Sequence, residues 1–240
     1  MIPTLVAVSH GTSDPRGQGA IKRLVDAVQD RLPYVVVRQA FVDVEAPDLP
    51  TVLAEVSGPV IVVPLLLGAG FHVHVDIATA VDARVSSGQP TTTAPTLGPD
   101  PGISGLLLDR LRSAELTPDD AVVLAVAGSS DVRARLSADR AAALVATSLR
   151  GRVRVGHLGG PGRPLEQVVA EARRELDRRG RVIVASYLLA PGFFASRLDA
   201  SAADVVTAPL SSGVLLDDRL VDVVVRRYTD ASRPPLARLG

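Results

Sequence analysis

The strongest constraint on the fold of this 240-residue chain is that its second half repeats its first. Segment 58–72, ending Gly70-Phe71-His72, aligns without a gap with segment 180–194, ending Gly192-Phe193-Phe194. Ala7–Asp14 aligns with Ala125–Asp131, which is one residue shorter, and Thr93-Ala94-Pro95 answers Thr207-Ala208-Pro209. Three matches in one order divide the chain into homologous halves, 1–116 and 117–240, the second carrying a loose tail over the last dozen residues.

Each half alternates β-rich runs with helix-period segments. In the first, strands are predicted at Thr4–Val8, Tyr34–Phe41, Val60–Leu66 and Thr92–Ala94. Helices are predicted at Gly17–Leu32, Asp48–Val56, Val73–Val85 and Ile103–Ala114. The stripe Ile21, Leu24, Val25, Val28, Leu32 has helical spacing, whereas Val60–Leu66 is apolar throughout, as in a parallel strand covered on both faces. In the second half the strands fall at Ala121–Ala127, Arg152–Gly156, Val182–Tyr187 and Val205–Ala208. The helices there fall at Val132–Thr147, Arg163–Arg179, from about Phe193, and at Val214–Tyr228. Strand then helix, repeated, argues an α/β fold with a parallel sheet in each half.

Composition removes several function classes. The absence of cysteine excludes disulfides, thiolate metal sites and a cysteine nucleophile. Lys+Arg and Asp+Glu are both 26, so no net field draws the chain to nucleic acid or to an anionic membrane. Lys22 is the only lysine; arginine suits carboxylate and phosphate ligands, although a GC-rich genome accounts for the bias more simply. No run approaches the roughly 20 apolar residues of a spanning helix, and Met1–Ser9 has no basic lead or cleavage site, so a cytoplasmic location is expected.

The two copies differ where chemistry would reside. His10 ends the first strand and has no counterpart; His72 is answered by Phe194, Asp43 by Gly159 and Glu45 by Pro161. In an open parallel sheet, functional groups collect beyond the carboxyl ends of the strands, so His10, Asp43 and His72 are expected to converge. Two imidazoles and a carboxylate suit borderline divalent ions and also move protons near neutral pH. The plainer alternatives are that His10 caps a helix and that His72 or His74 is surface decoration; His74 reaches the same site only if the segment is extended there. Asp43 and Glu45 share a side of an extended segment, which leaves the choice between them open. His157 has no partner motif and reads as structural. Gly11-Thr12-Ser13 reads as an anion-binding turn without a P-loop lysine.

At these residues the chain resembles the sirohydrochlorin chelatases of the CbiX/SirB type, class II chelatases, in their long two-repeat form. The resemblance rests on Val8-Ser9-His10-Gly11-Thr12, on Phe41–Leu49, on Pro64–Ile77 and on Ala94–Pro99, and its most specific part is Gly70-Phe71-His72 followed by Asp76-Ile77. It implies two chelatase-like domains, each a small parallel sheet flanked by helices, with the active-site cleft between them. It implies ATP-independent insertion of Fe2+ or Co2+ into sirohydrochlorin, a tetrapyrrole with eight carboxylates; the metal is a substrate, and no cofactor is permanently bound. Its motif histidines fall on His10 and His72. Its acidic residue, usually glutamate, falls on Asp43, one methylene shorter, so that metal contact becomes water-bridged or passes to Glu45. Its usual proline after Asp-Ile is here Ala78.

Donors for the substrate carboxylates are expected from Arg16, Arg38 and Arg197 and from backbone N–H groups at Gly11, Thr12 and Ser13. The second half then grips the ring rather than catalysing. The leading expectation is a ferrochelatase serving sirohaem synthesis, acting as monomer or homodimer. Cobalt insertion for cobalamin, a carrier of metal or tetrapyrrole, and a small metal-dependent hydrolase are the alternatives.

Overall fold

The computed structural model describes residues 1–68, 70, 73–177, 179–213 and 216–233, with backbone alone at 73 and 74. It contains two four-stranded sheets, parallel throughout, ordered β2-β1-β3-β4 and β6-β5-β7-β8. The first comprises β1 (Thr4–Ser9), β2 (Val37–Phe41), β3 (Val60–Pro64) and β4 (Thr91–Thr93). The second comprises β5 (Ala121–Val126), β6 (Val153–His157), β7 (Val182–Tyr187) and β8 (Val205–Val206). The α/β repeat is therefore two like halves, as the sequence implies.

The helices are α1 (Pro15–Arg31), α2 (Leu49–Glu55), α3 (Ala78–Ser86), α4 (Pro101–Ser113), α5 (Val132–Leu149), α6 (Leu165–Glu175), the short α7 (Phe193–Ser196) and α8 (Asp218–Ser232). A π-helical turn, Val73–Ile77, leads into α3. Their starts are written locally: Asp14, Asp48, Asp100, Asp131 and Asp217 each accept a backbone N–H at the N-cap, a bond worth about 1 kcal/mol. Boundaries shift where side chains do not pack. Tyr34 is exposed, and β2 begins only at Val37. The segment from Phe193 makes one α-turn and then a 3₁₀ turn, Leu198–Ser201. The last helix runs on to Ser232, into the expected tail, because buried Tyr228 donates to Pro3 O at 2.6 Å; residues 234–240 lie outside the described residues.

Strand residues alternate between two apolar layers, as the period of two requires. Val6, Val8, Val60 and Val62 pack outward under α2 and α3, and Val123 and Val184 pack outward under α6. Leu5, Ile61, Leu124 and Ile183 face inward, into one core shared by both halves. That core is closed by an exchange of helices. The last helix of the first half, α4, packs on β7 and α5, and the last helix of the second half, α8, packs on β3 and α1. Arg110 of α4 donates to Leu210 O at 2.9 Å, while Arg227 of α8 donates to Thr96 O at 2.8 Å and Arg226 pairs with Asp100 at 2.6 Å. A cut near residue 116 separates the sequence copies, but each copy's final helix belongs to the other's packing. No described helix is long and apolar enough to cross a membrane.

The turn joining the halves carries a buried carboxylate. Asp120, 1% exposed, accepts from Arg181 Nη2 at 2.9 Å, from Thr117 N at 2.9 Å and from Arg181 N at 2.8 Å. Burial by itself would raise its pKa; the hydrogen bonds from Arg181 and Thr117 outweigh burial and hold it well below the usual carboxylate range. A depressed carboxylate contributes stability that is fully present above the unfolded value of about 3.9 and is lost as pH falls toward the folded one. Urea midpoints measured from about pH 5 to pH 2.5 should therefore fall less steeply for Asp120→Asn than for wild type. Parallel acid limbs would contradict this linkage.

Candidate functional site

The carboxyl ends of both sheets open into one cleft of about 830 Å³. From the first half it is lined by Ser9 at the end of β1 and His10 after it, by Val44 and Glu45 after β2, and by the loop after β3. From the second half come Gly128–Ser130 after β5, His157 at the end of β6, Tyr187 at the end of β7, and the segment from Leu188 to Phe194 after it. Leu66, Leu67, Leu188, Leu189 and Phe193 make much of the wall apolar. Its volume lies in the range of small-molecule sites.

The loops are held by paired glycines. Gly11 has φ +91°, and a Cβ there would lie 2.2 Å from Asp43 O; Gly128 has φ +92°, and a Cβ there would lie 1.9 Å from Gly159 O. The match of Asp43 with Gly159 is thus reproduced in space. Each half also touches the other's first helix: the Pro191-Gly192 turn lies against Gly17 and Thr12, and Gly70 lies against Ser129 and Ala134. Tyr187 spans the halves, its hydroxyl 3.4 Å from Leu67 O, and burial pushes its pKa up, so it stays a neutral donor.

Of the expected ligands, His10 stands exposed on the cleft wall with Nδ1 3.3 Å from Gly11 O. Glu45 lines the cleft beside it, and its Oε1 accepts from Thr12 N at 2.8 Å. Asp43 does not line it. Val44 takes a positive φ of 64°, which breaks the extended run, and the Asp43 carboxylate turns to accept from Val44 N at 2.7 Å. Glu45, not Asp43, is therefore the carboxylate that faces His10's cleft. His72 lies outside the described residues, and His74 is described by backbone alone, within the π-turn. Among the described residues no three His, Asp or Glu side chains form a metal-holding group.

None of the three expected arginines lines the cleft. Arg16 forks onto its own helix cap, Asp14, at 3.2 and 2.8 Å; Arg133 does the same to Asp131 in the second half, so the pair is a repeated capping device. Arg38 lies early in β2, away from the carboxyl edge, and pairs with Glu55 at 2.7 Å, as Arg154 pairs with Glu175 in the repeat. Arg197 lies over the Phe193 ring, 5.8 Å from its centroid, outside the cleft wall that Phe193 helps to form. Gly11, Thr12 and Ser13 do line the cleft, but the Thr12 N–H is already taken by Glu45.

Among the larger polar lining residues, Arg135 and Tyr187 carry no motif, and His157, which reads as structural in the sequence, lies on the cleft wall as well. His157 and Tyr187 end their strands, Val126 pairing with both, so the rule that singled out His10 applied to them too. Arg135 sits one turn into α5, where nothing local marks it.

Residues 4–114 match the CbiX family model. No curated protein matches the chain in sequence. Among solved structures, SirB from Bacillus subtilis with Fe3+ is 19% identical with a TM-score of 0.80, over 97% of this chain and 96% of that one. The sirohydrochlorin chelatase SirB from Bacillus subtilis subspecies spizizenii, in complex with cobalt, is 16% identical with a TM-score of 0.77, over 98% and 97%. CbiX, the terminal enzyme of sirohaem biosynthesis in denitrifying bacteria, is 18% identical with a TM-score of 0.65, over 96% and 100%. At these identities the likeness is one of fold, and it extends over both halves.

Proposed function

We propose, from the premise that residues 4–114 belong to the CbiX family, that the chain is a sirohydrochlorin chelatase inserting Fe2+ for sirohaem synthesis. The observation that carries this reading is that strand ends from both sheets share one largely apolar cleft, with His10 and Glu45 on the wall built by the family-matching half. A flat macrocycle needs apolar faces on either side, and its centre needs a ligand set open on one side.

In this reading His10, Glu45 and His72 take the ion from water. A set of imidazole and carboxylate ligands binds it loosely enough to release it to the ring nitrogens. Two pyrrolic N–H protons must leave as the metal enters, and imidazole is the natural acceptor near neutral pH. Glu45, whose Oε1 accepts from Thr12 N, is held on the cleft wall and contributes the carboxylate ligand. Asp43 acts through the backbone turn at Val44 rather than on the metal. The second half closes the cleft with Leu188, Leu189 and Phe193.

The test mixes purified protein with sirohydrochlorin and Fe2+ under anaerobic conditions and follows the visible spectrum of the ring. Metallation clearly faster than in the protein-free control is expected. A rate equal to that control rejects the enzyme. The same ligand types accept cobalt(II), so a parallel run with Co2+ at equal free concentration assigns the metal; a much faster cobalt reaction would redirect the reading to cobalamin.

A further inference from the structure

We propose that Arg135, with His157 beside it, seats a peripheral carboxylate of the tetrapyrrole and thereby orients the ring; this rests on the chelatase reading above. Arg135 is the one arginine on the cleft wall among the described residues. Other arginines of the two halves are committed: Arg16 to Asp14, Arg38 to Glu55, Arg133 to Asp131, Arg154 to Glu175 and Arg163 to Glu171. Arg135 makes no ion pair among the described residues; its Nη1 donates to Ser130 O at 3.2 Å, which leaves the rest of the fork without a carboxylate. No ion pair joins it to Asp139, one helical turn further on.

Arg135 and His157 also line a side pocket of about 550 Å³, together with Arg152, Arg154, Arg163 and Asp139. The cleft and this recess therefore share a wall at Arg135 and His157. His157 Nδ1 is buried without a hydrogen-bond partner among the described residues, and burial lowers the ring's pKa. Gly162 leaves room for the ring: a Cβ there would sit 2.3 Å from it. A buried polar nitrogen without a partner is costly unless something supplies one.

Charge then orients the substrate. Glu45 on the first half repels carboxylate arms, whereas Arg135 on the second half attracts them, so the ring enters with an arm toward Arg135 and its centre toward His10. A planar guanidinium matches a carboxylate in two-pronged geometry, which a point charge does not.

The test is metal-free binding of sirohydrochlorin, followed by its absorbance, to wild type, Arg135→Gln, Arg135→Lys and the surface control Arg112→Gln, at several salt concentrations. Arg135→Gln is expected to weaken binding by about 10–100-fold, the worth of one charge-assisted hydrogen-bonded pair, and to flatten its salt dependence. Arg112→Gln should match wild type. Arg135→Lys, which keeps the charge and loses the fork, should bind weaker than wild type with the salt slope retained, and it carries the test if the glutamine variant does not fold. Wild-type affinity in either Arg135 variant overturns the assignment and leaves the chelatase reading standing. Failure of the wild type itself to bind sirohydrochlorin removes both, so the two failures are distinguishable.

Discussion

One methyl group added at Gly11 is expected to destabilise the protein severely and to abolish metal insertion. Alanine there must adopt φ +91°, a region that L side chains avoid, and its Cβ would come within 2.2 Å of Asp43 O. The backbone strain alone is of order 1–3 kcal/mol, and overpacking against a carbonyl adds roughly as much again. Relief requires the β1 and β2 loops to separate, which carries His10 away from Glu45. Two companion variants isolate the cause. Gly128→Ala has the same φ problem, +92°, and a Cβ 1.9 Å from Gly159 O, so it should lose similar stability. Gly88→Ala has φ +81° but nothing within 4 Å, so it should lose only the strain. Urea unfolding of the three measures the close approach as the difference from Gly88→Ala; if Gly11→Ala loses no more than Gly88→Ala, the tight apposition of the two loops is wrong.

His10→Ala is expected to cut the insertion rate by about 10²–10⁴-fold, the range for removing a positioned proton acceptor, while leaving the fold nearly untouched. The side chain is exposed and belongs to none of the apolar layers, so its loss should change stability by less than about 0.5 kcal/mol. The carboxylates give a sharper contrast. Glu45→Gln keeps an oxygen for the Thr12 N–H but removes the charge on the cleft wall, and should lower the rate at least tenfold. Asp43→Asn keeps the turn bond to Val44 N and should leave the rate within about twofold. Initial rates of ring metallation, with melting curves alongside, check all three. A full rate in His10→Ala, or a larger loss in Asp43→Asn than in Glu45→Gln, would reverse the assignment of groups made here.

The ends of buried strands are local features, and they bring His10 and its turn to the cleft wall. His10 and the Gly11–Ser13 turn lie in the cleft because β1 is a buried strand whose end was visible in Thr4–Val8. His157, the last residue of β6, reaches the same cleft although no motif surrounds it. The three expected arginines lie off the cleft wall for a different reason. Arg16 and Arg38 neighbour the site in sequence, but each is taken by a carboxylate, Asp14 or Glu55, and the same pairings recur in the second half as struts. Asp43 and Glu45 share a side of an extended segment in the sequence, and one positive φ at Val44 separates them in the fold.

Periodicity and residue type were enough to read two copies, parallel α/β layers and the edge at which chemistry gathers, since each depends on neighbours a few residues away. The helix exchange that makes one shared core and the arrival of Arg135 on the cleft wall were decided only by long-range packing, and the entry of Glu45 rather than Asp43 by the turn at Val44. The physical reason is that α4 and α8 bury their apolar faces against the opposite half, and this docking sets which turns meet across the cleft.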